Sequence, residues 1–421
     1  MYALIDCNSF FCSVEKVFHP GLEGKPVCVL SSNDGCVVAL TPEAKALGIR
    51  RGEPIFEVSD IVERNGVRVF SGNMMLYAAM SKRVQNIIRA AVDRVEVYSI
   101  DECFCDLSGY GKYFDIEGLM RDLAMRIRLY TDIPVSVGVA PTKTLAKAAS
   151  KFAKKYPGYR SVCMMDTDEK RRKALALFDL ADVWGVGGRS LQKLNYLGIH
   201  TPLEFADRNL GWVRSHFTKP GVQTWKELNG IPCIDTSEII QRQSIGTSRS
   251  FGEMISDLQM LKASIATFAA SCAGKLRAQN SVAGSVMVFI ATNPFREDLP
   301  QYSNTASMRF SVATADTIEI TQAALRLAES IYRPGYLYKR SGVMLTHISP
   351  DSALELDLFD PVRNRFERHE LSRSFDALNQ QFGLRSVQLA VAGAASDPWH
   401  VKSLHRSPNY LTSIDDLLVV S

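Results

Sequence analysis

No stretch of this sequence stays apolar for the ~18 residues that a membrane-spanning helix needs. Its first ten residues, MYALIDCNSF, put an acid where a secretory leader would be apolar. Both facts predict a cytoplasmic protein. The nine cysteines include no CxxC pair and the seven histidines are dispersed. That argues against a disulfide framework and a structural zinc site, and it suits a reducing compartment. Charge of one sign is also lacking: 49 Lys and Arg stand against 45 Asp and Glu, a net +4. Such a balance permits an acidic partner without demanding one.

The charge that exists is unevenly spread. From His347 to the C-terminus ten acids face seven bases, so this stretch is net −3 and the first 346 residues carry +7. Between Asp132 and Asp166 there is no acid at all, yet Lys143, Lys147, Lys151, Lys154, Lys155 and Arg160 fall there. At 421 residues the chain exceeds one compact core, which predicts three or four domains.

Hydrophobic periodicity gives their order. Residues 2–7 read as a buried strand. Two apolar runs within 26–40 flank Asp34-Gly35, a hairpin signal because both residues tolerate positive φ. Thr41-Pro42-Glu43 reads as a cap, a first-turn proline and an acidic first turn, with Gly48 as the stop. Leu76, Met80, Val84, Ile87 and Ala91 mark one face of a helix. VEVYSI and ECFCDL form strands around Asp101, followed by a helix over 115–131 and a strand over 134–140.

With 25–72 set aside as an insertion, the order is β-α-β-β-α-β, the split βαβ, ferredoxin-like sandwich. The same order recurs over 244–348, after a helical segment at 166–232 and a linker at 233–243. Beyond 348 the pattern weakens into a tail with partial helical structure. The fold class is therefore multidomain α+β.

Asp6 closes the first strand, and Asp101 and Glu102 occupy the tip of the central hairpin. The ferredoxin-like order makes these strands neighbours, so the three carboxylates converge. Convergent carboxylates repel unless a cation neutralises them, and hard divalent ions such as Mg²⁺ do so through oxygen ligands. Two ions about 4 Å apart can activate a hydroxyl and stabilise a leaving pyrophosphate. A single such acid is more often a turn or cap residue; their joint placement is what points to metal.

After Asp6 comes Asn8-Ser9-Phe10-Phe11. Asn8 or Ser9 can cap a helix whose free N–H groups would face a triphosphate, and Phe11 would then lie beside the sugar, where a flat ring admits deoxyribose and clashes with a 2′-hydroxyl; taken alone, a Phe-Phe pair is more often core packing. Lys143, Lys147, Lys151 and Lys154 recur on one helical face. With no acid interleaved, that face is expected to contact phosphate. Gly185-Val186-Gly187-Gly188-Arg189 reads as a helix-hairpin-helix turn, whose glycines let a DNA backbone approach a helix N-terminus.

With these residues assembled, the sequence resembles the Y-family DNA polymerases over roughly 1–348 and, to its C-terminus, their UmuC-type branch. The matching stretches are YALIDCNSFFCSVE, SSNDGCVVA, EAKALGI, VYSIDECFCDLSG, VGVAPTKTLAK, ADVWGVG, SRSFGE and LELDLFD. The resemblance implies a palm (1–24 and 73–165), small fingers (25–72), a helix-hairpin-helix thumb (166–232), a little finger (244–348) that grips DNA, and a partner-binding tail (349–421). It implies two Mg²⁺ ions held by Asp6, Asp101, Glu102 and the carbonyl of Cys7, with Phe11 as steric gate. The amides of Phe10 and Phe11, with Lys154 and Lys45, would hold the nucleotide. Lys143, Lys147, Lys151, Gly185, Gly187, Arg189 and Arg249 would meet DNA.

Three fingers positions depart from many relatives: Ala39, Pro42 and Lys45 stand where a threonine, a tyrosine and an arginine are usual. Lys45 keeps a charge but loses the bidentate fork. Glu355-Leu356-Asp357-Leu358-Phe359 resembles the β-clamp-binding peptide, led by glutamate instead of glutamine. The resemblance also implies a UmuD′-like dimer and a RecA filament as partners, with primer-template DNA and dNTP as substrates. The implied activity is error-prone translesion synthesis in the SOS response. The rivals are another two-metal palm such as a nucleotide cyclase, and a non-catalytic DNA-binding or clamp-tethered accessory subunit.

Overall fold

The structure, a computed structural model, describes residues 1–236, 241–353, 357, 360, 362, 364–383, 385–393 and 401–417. These divide into two compact units. One holds 1–236 together with 403–417, and the other holds 241–353 with the described residues through 402.

The first unit begins with β1 (Tyr2–Cys7) and α1 (Phe10–Phe18). β2 (Val27–Leu30), β3 (Val37–Leu40), α2 (Pro42–Ala46), α3 (Ser59–Arg64) and β4 (Arg68–Ser71) make a small insertion. Then come α4 (Met74–Arg89), β5 (Val95–Val97), β6 (Glu102–Asp106), α5 (Ile116–Thr131), β7 (Val135–Ala140), α6 (Lys143–Lys155) and β8 (Val162–Met164). Five helices follow: α7 (Asp168–Leu177), α8 (Gly188–Tyr196), α9 (Pro202–Ala206), α10 (Leu210–His216) and α11 (Lys219–Leu228).

The main sheet runs β5-β6-β1-β7-β8, and β1 pairs antiparallel with both β6 and β7. Its first four strands have the ferredoxin-like order expected from sequence; β8 adds a parallel edge strand beside β7. Alternation along β1 sends Ala3, Ile5 and Cys7 into the core with α4 and α5, and Leu4 into a second core with α6. All six residues of β7 are buried because helices cover both faces. Asn73 and Thr142 cap α4 and α6, accepting from the amides of Leu76 and Leu145.

The insertion forms a sheet of order β3-β2-β4, with β2 antiparallel to β3 and parallel to β4. The hairpin is present, but its positive φ values fall on Asn33 (62°) and Asp34 (49°), while Gly35 sits at −80°. The turn is one residue earlier than the Asp-Gly signal suggests. The Asp34 carboxylate instead accepts the Leu404 amide at 2.8 Å.

The second unit contains β9 (Ile245–Ile255), α12 (Leu258–Ala278), β10 (Ser281–Thr292), β11 (Ser303–Thr314), α13 (Thr317–Ile331) and β12 (Tyr338–Pro350). This is the expected recurrence of βαββαβ, though its sheet order, β11-β10-β12-β9, differs from that of the first. α14 (Arg365–Phe382) is held to this unit by ion pairs. Arg368 forks onto Asp316 at 2.7 and 2.9 Å, and Arg277 forks onto Asp376 at 2.6 and 2.7 Å. The stretch read as one tail is thus shared: α14 belongs to the second unit and 403–417 to the first. No helix among the described residues is long and apolar enough to cross a membrane.

Candidate active site

Strand parity places the carboxylates. Asp6 shares the side of β1 that carries Leu4, and Glu102 the side of β6 that carries Phe104; both are the face covered by α6. Asp6 is the direct register partner of Glu102. Asp101 precedes β6, and its carbonyl accepts the Cys7 amide at 2.9 Å, which ties the end of β1 to the hairpin tip. Its carboxylate is oriented by Ser99, whose hydroxyl donates at 2.6 Å.

Two ammonium groups offset part of this cluster's charge. Lys154 Nζ lies 3.0 Å from Asp6 Oδ1, and Lys147 Nζ lies 3.0 and 2.9 Å from the Glu102 oxygens. Burial pushes the Asp6 carboxyl above its usual range, opposed by Lys154 and reinforced by the charge of Asp101. Burial raises Glu102 likewise, opposed by Lys147. These side chains are drawn toward the lysines, and among the described residues no three His, Cys, Asp or Glu groups are already gathered as a cage for an ion.

The donor chemistry nevertheless fits a hard divalent cation, since every candidate ligand is an oxygen and the acids raise one another's proton affinity. Burial holds the Cys7 thiol well above its ordinary value, so Cys7 has its carbonyl to offer and not a thiolate.

α1 begins beside this cluster. Ser9 holds the N-cap position at φ 45°, a left-handed conformation, and makes no side-chain cap. Its hydroxyl donates to the Leu40 carbonyl at 3.0 Å instead, tying α1 to the insertion. Asn8 turns its Oδ1 to Ser136, which donates at 3.0 Å. The expected cap by Asn8 or Ser9 is therefore not made, and first-turn amides, Phe10 and Phe11 included, are left without a side-chain cap to satisfy them. Phe11 is half-buried, with its ring stacked on Tyr77 at 4.5 Å and 15°. Lys45 is exposed on α2.

The lysine face of α6 is engaged in ion pairs. Lys143 is buried and pairs with Glu96 at 2.6 Å and Thr236 at 2.7 Å. Lys147 pairs with Glu102 and sits over the rings of Tyr98 and Trp184 at 4.5 and 5.5 Å. Lys151 pairs with Asp182. The acids that the sequence lacks here come from other elements, so Lys143, Lys147 and Lys151, the three expected to meet DNA, each hold a carboxylate in this structure; Lys143 is buried and Lys151 is exposed.

Gly138 lets α6 come so close. A Cβ there would lie 2.1 Å from both the Ala146 carbonyl oxygen and the Ser150 nitrogen. Sequence reading passed over this residue, although a lone glycine in a fully buried strand is itself the signal of close backbone approach.

In the helical segment Gly187 is the N-cap of α8, and Gly187 and Gly188 face open space. Gly185 is constrained from within: its φ is +97° and a Cβ would strike the Thr224 hydroxyl at 2.3 Å. Arg189 is exposed at the start of α8, and Arg249 is exposed on β9 of the second unit. Of the clamp-like peptide, Glu355, Leu356, Leu358 and Phe359 lie outside the described residues.

Comparison with known proteins agrees with this architecture. Residues 5–151 match the impB/mucB/samB family, and residues 242–358 match the C-terminal domain of that family. Residues 369–420 match a domain of unknown function, DUF4113. The chain is 40% identical to Protein UmuC of Salmonella typhimurium over 422 residues, covering 100% of both. It is 40% identical to Protein ImpB of Salmonella typhimurium over 420 residues, covering 99% of each. A chimera of the Y-family DNA polymerases Dbh and Dpo4 superposes with a TM-score of 0.66 at 24% identity, over 83% of this chain and 99% of that one. At that identity the likeness is one of fold.

Proposed function

The chain belongs to the impB/mucB/samB family, as a UmuC-like DNA polymerase of the Y family, and from that premise we propose that it copies damaged DNA in the SOS response at the site built by Asp6, Asp101 and Glu102. The observation that carries this assignment of the site is the pairing of Asp6 with Glu102, with Asp101 tied to Cys7 beside them and α1 opening on the same spot. The reaction of this family needs a divalent metal. The all-oxygen donor set supports a pair of Mg²⁺ ions, held by the three carboxylates and the Cys7 carbonyl. When bound, such ions favour ionisation of the primer 3′-hydroxyl and neutralise the departing pyrophosphate.

The chain's own residues do the rest. Uncapped amides of Phe10 and Phe11 receive the triphosphate, an anion matched to a helix N-terminus. Lys154 moves from Asp6 to the same phosphates, and Lys45 adds a point charge from the fingers. The Phe11 ring, backed by Tyr77, occupies the place of a 2′-hydroxyl. The N-terminus of α8, with Gly187 and Arg189, takes the DNA backbone without reading its sequence, and Arg249 of the little finger adds a phosphate contact. A fingers insertion of only about 48 residues (25–72) makes little closing surface with which to test base-pair shape, so a distorted template base is admitted and discrimination falls.

Membership of the UmuC-like branch supports a UmuD′-like dimer, a RecA filament and the β clamp as partners, with Glu355–Phe359 as the clamp contact, and supports work in the cytoplasm. Primer extension on undamaged and abasic templates, with and without Mg²⁺, tests the polymerase reading. Metal-dependent extension past the lesion is expected. Tight primer-template binding with no extension under any partner condition would favour an accessory subunit.

A further inference from the structure

The C-terminal segment 403–417 is packed against the helix that carries Phe11. The Ser71 amide donates to the His405 carbonyl at 3.0 Å, and the His405 amide donates to the Ser71 hydroxyl at 2.9 Å. Asn73 donates from Nδ2 to the carbonyls of Ser407 and Pro408 at 2.8 and 3.3 Å. The Ser407 hydroxyl then reaches Glu15, donating to Oε1 at 3.0 Å, and the Tyr77 hydroxyl donates to the same oxygen at 2.7 Å. Farther along, Tyr410 stacks on Phe18 at 4.7 Å.

Glu15, Asn73 and Tyr77 are wholly buried and Ser407 is 5% exposed, so water does not substitute for any of these bonds. Tyr77 and Ser407, distant in the sequence, thus meet on one carboxylate oxygen of Glu15. The other oxygen of Glu15 is buried without a partner, which leaves Oε1 to anchor the whole network. Glu15 and Phe11 are four residues apart on α1 and therefore share a helical face. Tyr77 touches both: its hydroxyl holds Glu15 and its ring lies flat on Phe11.

We propose that Ser407, through Glu15 and Tyr77, positions the Phe11 ring and so sets how strictly the site excludes ribonucleotides. This rests on Phe11 being the sugar-facing residue. Phe11 offers a flat face that excludes a 2′-hydroxyl only while its own ring cannot retreat, and Tyr77 is the surface it would retreat into. With Ser407 gone, the Tyr77–Glu15 pair loses its outer tether and the stacked rings gain room. The segment lies within the match to a domain of unknown function, part of which thereby acts in substrate choice.

The test compares kcat/KM for a dNTP and its matching rNTP in the full-length chain, under conditions where the wild type extends a primer. Phe11→Ala is expected to lower the ratio by about 100-fold, the effect of opening a packed pocket. Ser407→Ala and Tyr77→Phe should each lower it by about three- to tenfold, the kinetic equivalent of one hydrogen bond. That loss should come from improved rNTP use, which a merely destabilised protein does not show. Glu15→Gln, which retains the Oε1 acceptor, should keep the wild-type ratio, whereas Glu15→Ala should not. If Ser407→Ala folds poorly, Tyr77→Phe carries the test, since it removes only the tethering hydroxyl and retains an aromatic ring at that position. A wild-type ratio in Ser407→Ala and Tyr77→Phe, alongside a reduced ratio in Phe11→Ala, overturns the positioning role alone. An unchanged ratio in Phe11→Ala overturns the gate itself, and the proposal with it.

Discussion

Asp6 stands opposite Glu102 across the β1–β6 ladder, and each is matched by its own lysine from one helix, Lys154 for the first and Lys147 for the second. The two lysines are seven residues apart, about two helical turns, so one face of α6 serves both carboxylates. Two of the three carboxylates are thereby charge-matched from one helix.

Burial holds the carboxyls of Asp6 and Glu102 above their ordinary range. Between the unfolded values near 4 and the raised folded values, the native state therefore binds the extra protons. Their contribution to metal-free stability is fullest below the unfolded values and is lost as pH rises through the folded ones. A divalent ion binds the deprotonated carboxylates, so its stabilisation grows across the same window. Mg²⁺ or Mn²⁺ should raise Tm more at about pH 7.5 than at about pH 5, and Asp6→Asn with Glu102→Gln should remove the effect. Equal shifts at both pH values, read by thermal denaturation, would contradict it.

Lys147→Met separates neutralisation from packing. It keeps a side chain of similar length but removes the ammonium that faces Glu102 and the rings of Tyr98 and Trp184. The metal-free protein should lose about 1.5–3 kcal/mol, the scale of a charge-assisted hydrogen bond. Saturating Mg²⁺ should recover much of that loss. A deficit equal with and without metal in urea titrations would assign Lys147 a purely structural role.

Gly138→Ala tests the seat of α6. The added carbon meets backbone atoms at 2.1 Å, and backbone cannot swing aside as a side chain would. A loss of about 3 kcal/mol or more is expected, at the upper end of overpacking costs, with primer extension falling as Lys147 and Lys154 shift from the carboxylates. Wild-type stability and activity would mean that the α6 backbone is freer than this contact implies.

Much of this site could be read from the chain because its residues lie at ends of short, strongly patterned elements. A strand ending in Asp6 and a hairpin tipped by Asp101-Glu102 follow from local alternation, and the ferredoxin-like order makes them neighbours. What local pattern could not supply was the other side of each contact. The lysines of α6 have no acids nearby in sequence, yet Glu96, Glu102, Asp182 and Asp6 arrive from four other places in the fold. Ser407 illustrates the same limit: nothing around it signals that its hydroxyl meets Glu15, 392 positions away. Asn33 and Asp34 show a finer one, since the glycine after them masked where the left-handed residues fall.

Attachment of α14 to the second unit is predicted to be acid-sensitive. Burial alone raises the Asp316 carboxyl, but the Arg368 guanidinium and the first amides of α13 outweigh it and hold the carboxyl below its usual value. Stability from this pair is present above the unfolded value near 4 and is lost as pH falls through the folded one. Arg368→Ala should cost about 3 kcal/mol at neutral pH, because it leaves a buried carboxylate unpaired. It should also expose α14 to limited proteolysis. Protection unchanged in the variant would show that Arg277–Asp376, together with Arg365, which donates to Glu319 at 2.9 Å, holds the helix unaided.

The most direct measurement of the central claim is primer extension by the full-length chain on undamaged and abasic templates. Wild type is compared with Asp101→Asn plus Glu102→Gln, in the presence of a β clamp, a processed UmuD-like protein and a RecA filament. The wild type is expected to show Mg²⁺-dependent extension past the abasic site. The double variant is expected to lose at least about 1000-fold with primer-template binding retained, as befits groups that act in the transition state. Extension by the double variant at wild-type rate would contradict the assignment of Asp101 and Glu102 to catalysis.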